Sequence, residues 1–436
     1  MINPALTGRS HLLTFPSHVK DMIAYLIFLV LAIASAAGTA YGYIGFDLFA
    51  FSIFALALAT LIYRDRKKVK LEGVMFIRRT QRGRDFIDRT AQKHRGFWGK
   101  WATLGLIIGI PVMILGSVYL FSQAATIVQG GADGGVRLLL PGPVSQPVNA
   151  PGVFVVPWWI WIIGIAAVII PHEFMHGIVC RLDKIKIKSV GWILLIVIPG
   201  AFVEPDEKQL QKAKRSTKMK VYAAGSFANL AVAFAIILIF VVSFAALFQP
   251  AGLFVQTAEG GPANQSGLFG SITAIDGRPI RSMEDLSTAL QQHKPGDSIN
   301  VRAAPNNILV PTFDSIVPRP VAATDLKGEK EYLITLAEHP EEKGKAYMGV
   351  LPQMKAYKFG GDIFAYQSVS IILLWIFVFS FGIGLVNLLP IKPLDGGLLF
   401  EEIVGHFTPR TKGIVKGVSI VMIFLILFNL IGPIFL

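Results

Sequence analysis

Charge is scarce in this chain. Only 16% of its 436 residues are Asp, Glu, Lys or Arg, and 53% are hydrophobic. A soluble domain carries about 25% charged residues, so the composition excludes an ordinary soluble enzyme and points to a polytopic membrane protein. Cysteine is scarcer: Cys180 stands alone, which excludes an internal disulfide framework. A cleavable signal peptide is not expected either, because the first apolar run is long enough to span a bilayer. The net charge of +13 suggests nucleic acid only until its distribution is read. Segment 64–100 holds thirteen Lys and Arg against four acids, with little aromatic interleaving. No nucleic-acid partner is expected, and the segment reads as a solvated loop beside anionic headgroups of membrane lipid.

Seven apolar runs are candidate spans, at roughly 22–44, 46–63, 102–122, 153–180, 221–248, 367–390 and 413–435. The first two form a tight hairpin. Excess Lys and Arg between spans two and three makes that loop cytoplasmic. Alternation then places 123–152 outside, as an irregular Pro/Gly-rich segment, and 249–366 outside as well. The fourth span runs inward, so its last residues lie toward the cytoplasm.

Those last residues carry His172-Glu173-Phe174-Met175-His176. H-E-x-x-H sets two imidazoles one helical turn apart on one face, with a carboxylate beside them. That supplies two zinc ligands and a general base. Ionisable groups at membrane depth are costly and usually functional. Only two of the eight histidines lie inside a candidate span, and they are these two. A metzincin third ligand is excluded, because Val179 and Leu182 stand where Gly and His are needed. Asp395 is the expected third ligand. It lies in Asn387-Leu-Leu-Pro390-Ile-Lys-Pro393-Leu394-Asp395-Gly396-Gly397, where two prolines and a Gly pair break the sixth span and turn a carboxylate back. Glu204 is the alternative ligand, and Cys180 reads as a packed small hydrophobe.

Two further segments are informative. Lys184–Val190 alternates with period two, a strand signal. Trp192–Ile198 is apolar but too short to span. Together they read as a strand or loop dipping into the membrane, whose edge can pair with an extended backbone; an ordinary re-entrant loop is the plain alternative. Block 249–355 reads as a soluble α+β domain. Its expected strands are Leu253–Val255, Ile272–Ile275, Ile299–Ala303 and Tyr332–Ala337, and its expected helix is Met283–Gln292 after Ser282. Gly260–Leu268 followed by Ile275-Asp-Gly-Arg-Pro-Ile280 resembles a PDZ domain of the protease-associated type, with 305–330 as an insertion.

From Val153 to Phe400 the chain resembles the site-2 proteases, intramembrane zinc metalloproteases. The resemblance rests on His172–His176, Ile198–Pro205, Ala224-Gly-Ser-Phe-Ala-Asn229 and Asn387–Gly397. The Pro199–Glu207 run is most like archaeal members. The resemblance implies zinc held by His172, His176 and Asp395, with Glu173 as catalytic base. Asn229 and Asn387 are candidates for binding substrate backbone or a developing oxyanion, or for helix–helix hydrogen bonding. The implied organisation is a two-span hairpin (1–63), a basic cytoplasmic loop (64–101), a protease core in two parts (102–248 and 356–436) and an extracytosolic PDZ-like domain (249–355). Implied partners are transmembrane protein substrates and a peptide C-terminus at the PDZ-like domain; the implied location is the cell membrane. A catalytically inactive scaffold is the rival reading, disfavoured by an intact Glu173. A transporter is disfavoured because no repeated halves with matching broken spans occur.

Overall fold

The computed structural model describes residues 17–81, 83–131, 136–150, 152–195, 198–306, 308–313 and 318–435. The chain divides into two compact units, one of Met1–Asn229 with Gly382–Leu436, the other of Leu230–Phe381. Among the described residues, seven helices are long and apolar enough to cross a membrane. The protein is a multi-pass helical membrane protein.

The first unit opens with α1 (Ser17–Ala40) and α2 (Phe46–Arg64), a helical hairpin turning at Gly42. The first span leaves Ile27, Val30 and Ile33 exposed, as a lipid-facing helix does. The basic segment is not the expected loop. It folds as β1 (Val69–Glu72), β2 (Met75–Thr80) and α3 (Arg84–Lys93). Gly73 supplies the positive φ of the turn. The alternation in Met75-Phe76-Ile77 buries Ile77. The helix α3 buries Ile87 and Ala91, and its Asp88 pairs with Arg181 of the fourth span.

Next come α4 (Arg95–Val128), β3 (Leu138–Gly142), β4 (Val148–Ala150), β5 (Val153–Pro157) and α5 (Trp158–Leu182). The segment expected to be irregular, 123–152, therefore contributes two strands, β3 and β4, to a three-stranded sheet in the order β3-β5-β4, whose middle strand comes from the expected start of the fourth span. The fourth span begins at Trp158 rather than Val153, because Val153–Val156 is β-branched and aromatic and ends at Pro157. Asp47 of α2 caps α5: its carboxylate accepts from the Trp158 N–H at 2.5 Å.

The predicted dipping element is an antiparallel pair, β6 (Ile187–Leu195) and β7 (Ile198–Pro205). Ile196 and Val197 of the predicted apolar run lie outside the described residues. Strand β2 pairs with β6 along Met75–Thr80, giving a four-stranded sheet β1-β2-β6-β7. Gly191 is required at the centre: a Cβ there would lie 2.1 Å from the Arg78 carbonyl and 2.6 Å from the Phe202 ring. A short α6 (Glu207–Lys212), capped by Asp206, leads to α7 (Arg215–Leu247). One buried cluster joins Ile87, Ala91, Ala102, Ile178, Cys180, Ile187, Val221 and Ala224. The basic segment, the dipping strands and the helix of the His–Glu–x–x–His motif thus share a core.

The second unit holds β8 (Phe248–Thr257), α8 (Pro262–Gln265), β9 (Ser271–Ile275), β10 (Arg278–Pro279), α9 (Met283–Gln291) and β11 (Ser298–Ala304). Then follow β12 (Ile308–Phe313), β13 (Pro318–Thr324), β14 (Lys330–Thr335), β15 (Ala337–Glu338), β16 (Ala346–Tyr347) and β17 (Val350–Phe359). Seven of the strands run in the order β12-β13-β17-β8-β9-β11-β14, with β10 on β9. The four expected strands and the expected helix are all present. Ser282 caps α9 by accepting from the Asp285 N–H, while the Asp285 carboxylate reaches back to the Arg281 N–H. The insertion 305–330 contains the β12–β13 hairpin; Phe313 at its end packs on Phe240 of α7, with ring centroids 4.7 Å apart. Strand β17 runs past residue 355 to Phe359, where it pairs with Phe248.

The helix α10 (Ile363–Leu388) ends where Leu389-Pro390-Ile391-Lys392-Pro393 breaks the helical pattern. Then come α11 (Asp395–Phe407) and α12 (Thr411–Phe435). Asn429 of α12 is fully buried, and its amide donates to the Leu120 carbonyl of α4 at 3.0 Å. Such interhelical bonds contribute where apolar burial alone gives helices little reason to associate in lipid.

Candidate metal centre

Three elements meet at His172, His176 and Asp395. The first two lie one turn apart on α5 and face the same side. Pro171 just before them cannot donate to the Ala167 carbonyl, so the helical ladder is open by one bond there. Asp395 begins α11. It is held there by Gly396 and Gly397, whose added Cβ atoms would stand 2.1 Å from the Leu388 carbonyl oxygen and 2.4 Å from Ile391. The Asp-Gly-Gly run therefore lets the start of α11 tuck under the end of α10.

The donor atoms converge. His172 Nε2 and His176 Nε2 lie 3.2 Å apart. Each is 3.2 Å from Asp395 Oδ2. Tetrahedral ligands around zinc are separated by about 3.3 Å, given Zn–N bonds near 2.0–2.1 Å. The trio has that spacing, and all three groups are buried or half-buried.

Neighbours fix which imidazole atoms point inward. His176 Nδ1 lies 2.8 Å from the Val221 carbonyl oxygen. A carbonyl only accepts, so Nδ1 carries the proton and Nε2 presents a bare lone pair. On the other ring, His172 Nδ1 is 3.1 Å from the Asn229 side-chain amide. Asn229 is fully buried, and among the described residues its Oδ1 has no hydrogen-bond partner. The two ends of an amide are alike in shape. With His172 Nε2 turned to a metal, Nδ1–H needs an acceptor, and Oδ1 is the atom left over. Ser226 Oγ donates to Asp395 Oδ2 at 3.2 Å.

Gly225 completes the cradle. A Cβ there would sit 2.4 Å from His176 Nε2 and 2.7 Å from His172 Nε2. Gly225 and Asn229 are one helical turn apart, so both face the histidines. A bare glycine backbone leaves the volume into which the three donors point. These residues fit a zinc ion.

Glu173 stands beside the trio. Its Oε2 accepts from the Val203 N–H of β7 at 3.0 Å, and among the described residues its Oε1 has no partner. Gly177, one turn on, lets α5 approach β7: a Cβ there would meet Val203 at 3.2 Å. Strand β7 is the last strand of its sheet.

The alternatives raised by the sequence lie elsewhere. Glu204 takes a hydrogen bond from Ser189 Oγ at 2.5 Å and lies 3.7 Å from the Arg79 guanidinium; it is not among the clustered ligands. Cys180 is buried in the apolar core. Asn387 is half-buried at the end of α10, and among the described residues its side chain has no hydrogen-bond partner. Sequence reasoning missed the Val221 carbonyl and Ser226. No sequence signal marks a backbone acceptor; Ser226 was visible only as part of the Gly225–Asn229 run.

The chain is similar to known proteins on these same elements. A profile of peptidase family M50 matches residues 160–429, which takes in α5, α7, Asp395 and Asn429. An uncharacterized protein of Methanocaldococcus jannaschii is 26% identical over 360 residues, 79% of this chain and 82% of that protein. A probable protease of Enterococcus faecalis, eep, is 24% identical over 266 residues, 52% of this chain and 61% of that protein. The family profile covers well over half of the chain, including the helix on which both histidines stand, and the chain belongs to peptidase family M50, the site-2 protease family of membrane metallopeptidases.

Proposed function

We propose that the protein is an intramembrane zinc metalloendopeptidase that cleaves peptide bonds within or near transmembrane segments of membrane-protein substrates, in regulated intramembrane proteolysis. One observation carries this reading. Two imidazole nitrogens and a carboxylate oxygen converge at 3.2 Å, an arrangement that repels itself unless a proton or a metal ion lies between them, and the spacing is that of ligands around zinc.

His172, His176 and Asp395 hold the ion. A bound zinc supplies a Lewis acid that acidifies water and polarises a carbonyl. Glu173 is the general base: the Val203 N–H fixes one carboxylate oxygen and leaves Oε1 to take the proton and return it to the leaving amine. Asn229 acts through His172, holding its Nδ1–H. Asn387, without a hydrogen-bond partner among the described residues and at the end of a span, is assigned to the substrate backbone or the oxyanion. The substrate presents an extended segment along the free edge of β7, because a hydrogen-bonded helix hides its peptide bonds. The sheet of the second unit is read as PDZ-like, receiving a peptide C-terminus on the extracytosolic side. The active site opens toward the cytoplasm, as the basic segment 64–100 implies, and the cell membrane is the host membrane.

The test is cleavage of a single-span substrate by purified protein in liposomes, with bound zinc measured in wild type and Glu173→Ala. Cleavage lost in the variant while zinc stays bound supports the reading. Equal product from both would assign the cleavage to a contaminant and remove Glu173 as base.

A further inference from the structure

We propose that an anionic phospholipid binds in the groove at the basic end of α4, its phosphate held by Arg95, Lys100 and Lys220 and its acyl chain laid along Leu104 and Ile107. The groove has a volume of about 840 Å³ and lies entirely within the first unit. Two helices build it. Arg95 and Lys100 stand on the first turns of α4, and Lys220 stands near the start of α7. Among the described residues no carboxylate lines it.

The cations are available. Neither Lys100 nor Lys220 forms an ion pair among the described residues. Arg95 spends one N–H on the Leu182 carbonyl, at 2.7 Å, which fixes its guanidinium at the rim. The three cations face one nearby carboxylate, Asp183, which lines the adjoining cavity and accepts from Thr217; the groove keeps an excess of positive charge, which a phosphate offsets. Below the cations the lining changes character. Leu104 and Ile107 are 46% and 62% exposed and continue down the span. Gly96 and Gly99 carry no side chain between these halves, and a Cβ on either would meet nothing within 4 Å.

Depth argues for a lipid rather than a soluble anion. On the same first turns of α4, Phe97 is exposed, while Trp98 and Trp101 pack inward on the core. Aromatic side chains of this kind concentrate at the membrane interface. A cationic rim at that level with an apolar wall beneath it matches a phosphate joined to an acyl chain. A smaller adjoining cavity of about 140 Å³ reaches Val179 and Leu182, at the end of the helix that carries His176. A lipid here would brace α4, α5 and α7 against one another. The inference does not depend on the proteolytic reading.

The experiment is thermal unfolding of the full-length protein in neutral detergent, titrated with phosphatidylglycerol, phosphatidylcholine or glycerol 3-phosphate. Wild type should be stabilised saturably by phosphatidylglycerol alone. Lys100→Gln with Lys220→Gln should weaken the apparent affinity about thirtyfold, at roughly 1 kcal/mol for each cation. Gly99→Leu, which fills the groove and removes no charge, should weaken it comparably. Lys212→Gln with Lys214→Gln, on exposed positions away from the groove, should leave it unchanged. Equal protection of wild type and both groove variants would overturn the proposal. So would equal protection by glycerol 3-phosphate, which would make this a site for soluble phosphates.

Discussion

At the residue scale, the centre depends on what is absent at position 225 as much as on the ligands. A methyl group there would stand 2.4 Å from His176 Nε2. Gly225→Ala should leave the unfolding midpoint of the zinc-free protein close to wild type while bound zinc drops from stoichiometric to a small fraction. Metal analysis beside a melting curve checks this; full zinc content in the variant would contradict the geometry. Asn229 separates two roles that the sequence left open. As the acceptor for His172 Nδ1–H, its loss in Asn229→Ala should weaken zinc binding about 10–100-fold. Asn229→Asp keeps the acceptor oxygen and should bind zinc nearly as well as wild type. If both variants lose zinc equally, the acceptor role fails; if neither does while cleavage falls, Asn229 serves substrate instead. The position of this amide was legible in the sequence. Its partner was not, because His172 lies 57 residues away and only the packing of α5 on α7 brings them together.

At the element scale, the basic segment departs most from expectation. Charge density suggested a solvated loop, yet Ile87 is 3% exposed and lies in the core behind the His–Glu–x–x–His helix. Ile87→Ala should therefore destabilise by about 2–5 kcal/mol, where a loop residue would stay within about 0.5 kcal/mol; chemical or thermal unfolding decides between these. The signal was present in the alternation of Met75–Thr80, but thirteen cations masked it. Polar glue between spans is a smaller effect. Asn429→Leu, which removes the bond to the Leu120 carbonyl, should cost about 0.6 kcal/mol and no more than about 1.7 kcal/mol. In the second unit, the Arg281 N–H beside Asp285 holds its carboxyl below its ordinary value of 3.8. A depressed carboxyl stabilises the fold above its unfolded pKa, and that contribution is lost as pH falls through the folded value. Amide protection in α9 of the full-length protein, taken relative to the intrinsic exchange rate at each pH, should fall below about pH 4; constant protection down to about pH 2 would contradict the reciprocal cap.

At the scale of the whole molecule, zinc should act as a stabilising ligand. An ion bound only by the folded chain adds about 2.7 kcal/mol at a hundred times its Kd. Chelation should lower the unfolding midpoint, and zinc should restore it. Glu173→Ala should show the same shift, since Glu173 lies beside the ligands rather than among them. The sequence by itself determined the membrane class, the seven spans and the two histidines. Hydrophobic length and the 3.6-residue period are local properties, written in consecutive residues. It also pointed to Asp395, because two prolines and a Gly pair leave few ways for the chain to continue. Tertiary structure alone decided the rest. The pairing of β2 with β6 joins residues more than a hundred positions apart, and strand partners so distant leave no mark in local pattern. The proton on His176 is set by a backbone carbonyl, which no side-chain motif encodes. The space for the ion is set by the approach of α7, and that approach exists only once the helices have packed.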